Sequence, residues 1–266
     1  MTPQILSQKL PTLTVDSAGT EEFTNRWAQG SNFRIPGMRF AYRFPDIPVI
    51  LAALVADDLT KATEGNVTEH RRVGAANDLF RDLPLDRLME RTFQCSHYQL
   101  DRFDVAGGIL EGFHEAVLRP WQAWLMANDY TWERCYPIIR VSGRTSVTGY
   151  HVDVSNVLFW QVYGQKKFWE LAAPAQWTPA ETVVSAQARK DLTMPADLPQ
   201  SARVCQVMEP GGFLWNALLT PHWVETFDEL SFGVNISHGR LRHQGRLCAN
   251  EEPLVRFWAD NPGERF

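Results

Sequence analysis

A histidine and an aspartate two residues apart, in Gly149-Tyr150-His151-Val152-Asp153, are the best-placed pair in this sequence for metal chemistry. Side chains at i and i+2 of a strand point to one face, so His151 and Asp153 can reach the same ion. A third ligand has to come from another strand. His222, in Thr220-Pro221-His222-Trp223-Val224, opens a later β-type run after a Pro-Gly-Gly turn and an apolar strand. Two imidazoles and a carboxylate on one face leave three coordination positions open, the donor set of non-haem Fe(II) oxygenases. The His-x-Asp pair alone is a weak pattern, because a lone strand histidine is more often a hydrogen-bonded core residue. Its weight comes from its company.

Part of that company is a lysine. The run 157–171 reads as strand, glycine turn at Gly164, and returning strand. Lys166 and Lys167 project to opposite faces of that strand, so one of them can point inward. A buried ammonium needs an anion, since desolvating it unpaired is expensive. The distal carboxylate of 2-oxoglutarate would serve, assisted by a hydroxyl such as Thr148. Two solvent-facing turn lysines explain the same local sequence and are its simpler reading.

These residues need a scaffold that brings distant strands together. Short β-type runs occupy 136–141, 146–153, 157–163, 167–171, 203–208, 212–218, 222–227 and 231–236, punctuated by Gly143, Gly164 and Pro210-Gly211-Gly212. Eight such runs predict a mainly β fold with flanking helices, built on a double-stranded β-helix of the cupin or jelly-roll type. The expected organisation is a mixed, helix-rich flank over 1–135, the β core over 136–240 and a C-terminal tail over 241–266, forming one structural unit. In the flank, Ile109, Phe113, Val117 and Leu118 fall near one helical face, and Pro120 breaks or restarts that helix. His114 within it is expected to be structural. The polar, Pro-containing stretch 178–201 is an insert between the sheet-forming halves, either a lid or decoration.

Composition narrows the setting. The 266 residues carry 44% hydrophobic and 21% charged side chains, enough for a sizeable core. Ten Trp and fifteen Phe suit a β interior. A net charge of −5 disfavours nucleic-acid binding, and the short basic cluster Arg240, Arg242 and Arg246 reads as a surface turn. Cys95, Cys135, Cys205 and Cys248 are too dispersed for a zinc ribbon or a disulfide scaffold. The first twenty residues do not read as a signal peptide, and no run approaches the roughly 20 apolar residues of a membrane helix. A cytoplasmic protein without membrane partners is the expectation.

Over 136–238 the chain resembles the JmjC/cupin-8 group of 2-oxoglutarate oxygenases, most closely its asparaginyl hydroxylases. Thr148, His151, Asp153, Gly164 and Lys166 follow that group's Thr-x-x-His-x-Asp…Gly-x-Lys order and spacing without insertion. Pro210-Gly211-Gly212, Phe213-Leu214-Trp215, His222 and Val224 resemble its second half. The resemblance implies an Fe(II)- and 2-oxoglutarate-dependent dioxygenase that uses O2 to hydroxylate a C–H bond, releasing succinate and CO2. It implies that His151, Asp153 and His222 bind the metal and form the catalytic centre, that Lys166 and Thr148 hold the distal carboxylate, and that Asn235 lies near the cosubstrate. Three departures bear on the cosubstrate contacts: Gly212 replaces an aspartate, Trp215-Asn216-Ala217 replaces aromatic-Ile-Pro, and Val157 stands where a polar contact is usual, with Asn156 displaced by one.

A protein, peptide or small molecule is the expected substrate. A non-catalytic metal-binding cupin that recognises a partner, or a cupin enzyme not using 2-oxoglutarate, are the alternatives, and Lys166 with Thr148 discriminates against the latter. Trp160, Trp169 and Trp215 are candidates to wall the pocket, with core packing expected for at least two. His97, Asp104, Arg140 and Arg144 are candidates to face its opening, although surface or capping roles fit each more simply. The aromatic segment 254–259 is expected to pack on its own barrel or on a second subunit, giving a homodimer.

Overall fold

The period-two runs fold into two antiparallel sheets that face each other across the site. The structure, a computed structural model, describes residues 17–64, 73–189 and 192–264. The N-terminal stretch 1–16 and two residues of the 178–201 insert lie outside the described residues. In chain order the strands are β1 (Phe33–Arg34), β2 (Lys61–Glu64), β3 (Val73–Ala75), β4 (Phe93–His97), β5 (Tyr130–Thr131), β6 (Arg134–Ser142), β7 (Val147–His151), β8 (Asn156–Tyr163), β9 (Lys166–Leu171), β10 (Arg203–Met208), β11 (Phe213–Asn216), β12 (His222–Thr226), β13 (Ser231–Gly239) and β14 (Arg242–His243). The eight expected runs are β6 to β13, with ends that differ by at most three residues.

The larger sheet has the order β1-β11-β8-β13-β6-β4-β2-β3, and the smaller β10-β9-β12-β7. Core strands alternate between the sheets except for β9 and β10, which pair with each other in the small sheet, and this makes a double-stranded β-helix whose interior is lined from both sides. The flank contributes strands as well as helices. β1 pairs with β11, and β4 extends the large sheet from β6. At two to five residues these flank strands are too short for periodicity to reveal.

Strand β8 is buried along most of its length because both its faces are covered. Leu158 and Trp160 point away from the site toward aromatics of the flank, where Phe44 meets Trp160, Phe232 and Phe113. Farther along the same outer face, Phe23 presents edges to Phe33, Trp121, Trp124, Tyr130 and Trp215. A fully buried aromatic stabilises by about 1.5–3 kcal/mol through area, and edge-to-face pairs add roughly 0.5–1.5 kcal/mol each. This aromatic layer fixes the large sheet from outside.

The segment before Pro120 differs from expectation. It runs as turns to residue 113, then as a wide π-type turn (His114–Leu118), and Pro120 sits in the first turn of the helix Arg119–Ala127. Proline is tolerated there because the first turn has N–H groups without helical partners. Phe113, Val117 and Leu118 are buried while His114 is exposed. In the insert, helix Ala180–Arg189 buries Val183 and Val184 and packs on the C-terminal helix Glu251–Asp260. Leu198 joins Leu171, Ala202 and Trp223 on the outer face of the small sheet. The segment 254–259 packs on its own chain, with Leu254 at 1% exposure.

Candidate metal centre and carboxylate pocket

His151 ends β7 and His222 begins β12, and the two are direct partners across those strands. Their ring centroids are 4.2 Å apart. His151 Nδ1 lies 2.7 Å from the Gly149 carbonyl and His222 Nδ1 lies 2.9 Å from the Thr220 carbonyl. A carbonyl oxygen only accepts, so both Nδ1 atoms carry the proton and both Nε2 lone pairs are free to bind a cation. Asp153 follows β7, and its carbonyl accepts from the Leu219 N–H at 2.7 Å, which ties the loop after His151 to the loop before His222. Ligand atoms of His151, Asp153 and His222 lie within 4.8 Å of one another, and His222 Nε2 is 3.8 Å from Asp153 Oδ2. That donor set and spacing fit a divalent metal with an open face.

Electrostatics favour the same occupant. Burial, and then the neighbouring His151, push His222 down to about 4 against the pull of Asp153. It is therefore neutral at neutral pH, as a metal-binding imidazole must be. Burial alone would raise the Asp153 carboxyl, but the imidazoles, Arg140 and a hydrogen bond from Asn216 outweigh it and hold it below its usual range.

The cavity beside the triad leads to Lys166, whose residue is 5% exposed. Cross-strand register explains why this lysine, and not its neighbour, turns inward: β9 pairs with β10 and β12, with Lys166 opposite Met208 and Thr226. Gly164 has φ +62°, and a Cβ there would collide with the Leu230 carbonyl, so the turn that carries the chain from β8 in the large sheet to β9 in the small one demands glycine. Lys167 faces out, 3.9 Å from Glu225. Lys166 has no ion-pair partner among the described residues, and its ammonium lies 5.9 Å from the Phe159 ring centroid. Burial, and then the charge of Arg140, lower its pKa to about 7. Thr148 and Asn235 line the same cavity, and the Asn235 Oδ1 has no hydrogen-bond partner among the described residues. A buried cation beside polar groups without partners fits a carboxylate-bearing ligand.

Other expectations separate. Val157 lines the cavity, whereas Asn156 turns away and accepts from the Leu218 N–H at 3.3 Å. Trp160 and Trp215 sit in the core, and Trp169 stacks on Trp223 at 5.6 Å outside the small sheet, so none of the three lines the cavity. His97 is fully buried and reaches Asp57 at 3.3 Å, which corrects its reading as an opening or surface residue. Asp104 caps the Gly112 and His114 N–H groups, and Arg144 pairs with Asp228 at the surface. Described residues of 178–201 do not line the cavity.

Arg140 does line it, in place of the simpler surface role. Asn216 is also part of the site. Its Nδ2 donates to Asp153 Oδ2 at 2.8 Å and lies 3.4 Å from His222 Nε2, so it touches two ligand atoms at once. A polar residue closing the apolar strand Phe213–Asn216 was the legible signal for it. Phe168 stacks on the His222 ring at 5.0 Å and 13°, holding its plane.

No protein-family model and no curated protein sequence matches the chain. Solved structures do. The ribosomal oxygenase YcfD of Escherichia coli superposes with a TM-score of 0.57 at 15% identity, over 97% of this chain and 60% of that one. Its complex with cobalt and succinic acid gives 0.54 at 16% identity, and that with cobalt and 2-oxoglutarate gives 0.55 at 15%, each over 97% of this chain and 59% of the other. The chain thus spans about three-fifths of the length of these structures. At such identity the likeness establishes architecture alone: a mostly antiparallel double-stranded β-helix with flanking helices, shared with these ribosomal oxygenase structures.

Proposed function

We propose that this chain is an Fe(II)- and 2-oxoglutarate-dependent oxygenase that hydroxylates a C–H bond of a protein, peptide or small molecule and forms succinate and CO2. The observation that carries the reading is one cavity holding the His151, Asp153 and His222 ligand atoms together with the buried ammonium of Lys166, which has no ion-pair partner among the described residues. His151, Asp153 and His222 would hold the iron, leaving positions for the cosubstrate and O2, and the bound metal would supply the oxidative chemistry. Lys166 and Thr148 would receive the distal carboxylate, with Asn235 beside the cosubstrate. The walls formed by Val157, Phe159 and Phe168 would exclude water from the reacting carbon.

The cobalt complexes of YcfD with 2-oxoglutarate and succinic acid add support by analogy of fold. A metal-binding module without turnover has no use for a desolvated lysine beside its ion. Asparaginyl hydroxylation remains a resemblance of residues 136–238, with nothing further to favour that substrate. No described helix is long and apolar enough to cross a membrane.

The test is anaerobic addition of Fe(II) and then 2-oxoglutarate to the full chain. A weak visible charge-transfer band that needs both, is lost in His222→Ala and demands far more cosubstrate in Lys166→Met, supports the proposal. Absence of both the band and succinate formation in air would sink it.

A further inference from the structure

The cavity contains one more cation than the cosubstrate accounts for. Among the described residues that line it, Asp153 is the sole carboxylate, while Lys166 and Arg140 are both cationic. On the oxygenase reading, a divalent metal with Asp153 leaves one positive charge, which the metal-facing carboxylate of 2-oxoglutarate cancels. The distal carboxylate cancels Lys166. Arg140 is left over.

Its placement is specific. Arg140 alternates with Ile138 and Ser142 on the inner face of β6, paired with Ser96 of β4 on one side and Gly233 of β13 on the other. Ser96 Oγ accepts a hydrogen bond from Arg140 Nη1 at 3.1 Å, and Gly233 has no side chain to cover the guanidinium. The remaining donors of that planar fork have no acid partner among the described residues. Exposure separates the two cations: Lys166 is buried, whereas Arg140 is half-buried. The lysine thus belongs to the closed end of the cavity and the arginine to the side that solvent, and an incoming substrate, can reach. Its positive field still reaches Asp153, Lys166 and His222.

We propose that Arg140, held by Ser96, receives a second carboxylate carried by the molecule being oxidised, so that the substrate presents an acidic side chain or a terminal carboxylate near the reacting C–H bond. Arginine suits this task because its fork matches a carboxylate with two parallel hydrogen bonds. The inference rests on the oxygenase reading above. The other source of a carboxylate is the cosubstrate itself, and the two sources give different results.

The experiment uses the full chain loaded with Mn(II) and saturating 2-oxoglutarate, titrated calorimetrically with N-acetylaspartate and with its amide isostere N-acetylasparagine. The expected result is a preference for the acid of about tenfold or more, since hydrogen bonds between charged groups are worth that in affinity. Arg140→Gln should erase the preference and leave 2-oxoglutarate affinity nearly unchanged, and Arg140→Lys should retain part of it. Equal binding of acid and amide to the wild-type protein overturns the proposal, whatever the variants do. So does a tenfold loss of 2-oxoglutarate affinity in Arg140→Gln with the acid preference intact, which would assign the arginine to the cosubstrate. If the wild-type protein binds no 2-oxoglutarate at all, the oxygenase reading fails first and takes this inference with it.

Discussion

His151 and His222 face each other as mirror equivalents: each donates Nδ1–H to the carbonyl two residues before it, and their Nε2 lone pairs point toward one space. Backbone carbonyls set both tautomers, so the site is organised for a cation before any arrives. The same preorganisation gives the neighbouring polar groups measurable roles.

Asn216 is expected to tune the metal. Its amide donates to Asp153 Oδ2 and approaches His222 Nε2, so it orients the carboxylate and must adjust when an ion takes those lone pairs. Asn216→Leu should lower Mn(II) or Fe(II) affinity by roughly ten- to a hundredfold, the usual effect of removing a partner of a metal ligand. Calorimetric titration checks it, and unchanged affinity would show that the amide only fills space.

On the oxygenase proposal, Lys166 is expected to make 2-oxoglutarate binding pH-dependent. With a pKa of about 7 in the free protein, the Lys166 amine is about nine-tenths neutral at pH 8 and about nine-tenths charged at pH 6. A carboxylate partner stabilises the charged form, so binding at pH 8 should take up close to one proton, and affinity should fall as pH rises above 7. Calorimetry in buffers of different ionisation enthalpy measures that uptake. Lys166→Met should abolish it and weaken 2-oxoglutarate binding at every pH.

His238 is a structural histidine that resists protonation. Burial pushes it down to about 4, and its Nε2 accepts from Trp121 Nε1 at 2.7 Å while Nδ1 donates to the Asn156 carbonyl. A proton on Nε2 would set two donors against each other. Because the unfolded histidine protonates near 6.5, its contribution is intact above that pH and is lost as pH falls toward 4, by on the order of 3 kcal/mol. Urea unfolding at pH 7 and 4.5 should show the loss, and His238→Gln should flatten that dependence while lowering stability at pH 7.

Glu170 carries the opposite sign. Burial raises its carboxyl to about 8 despite the hydrogen bond from Asn32 Nδ2 at 2.8 Å, and its Oε1 has no partner among the described residues. It is protonated in the fold at pH 7 and ionised in the unfolded chain, so its contribution is full below about 4.5 and declines as pH rises through 8. Glu170→Gln keeps the shape and removes the titration. Thermal unfolding at pH 8.5 should show the variant more stable, by roughly 1–3 kcal/mol, and an equal or lower midpoint would contradict the buried neutral acid.

Much of this was legible in the chain because it obeys local rules. The two-residue spacing marked His151 and Asp153 as a pair, although β7 ends at His151 and Asp153 lies just beyond it, and turn residues such as Gly164 and Pro210-Gly211-Gly212 bounded the strands β6 to β13. The spacing Thr148…Lys166 carried the resemblance to carboxylate-binding oxygenases. What no local rule encodes is which strands meet. The partnership of His222 with His151, the inward turn of Lys166 and the outward turn of Lys167 depend on register between strands distant in sequence. The flank strand β4 brings Ser96 beside Arg140, and a five-residue strand in a helix-leaning region leaves no periodic trace. Asn216 was visible as a polar residue in an apolar run, but its contact with Asp153 exists only because the two sheets close on each other. Sequence determined which side chains could do the chemistry. The tertiary structure decided which of them share one cavity, because cross-strand register and burial set charge and partner together.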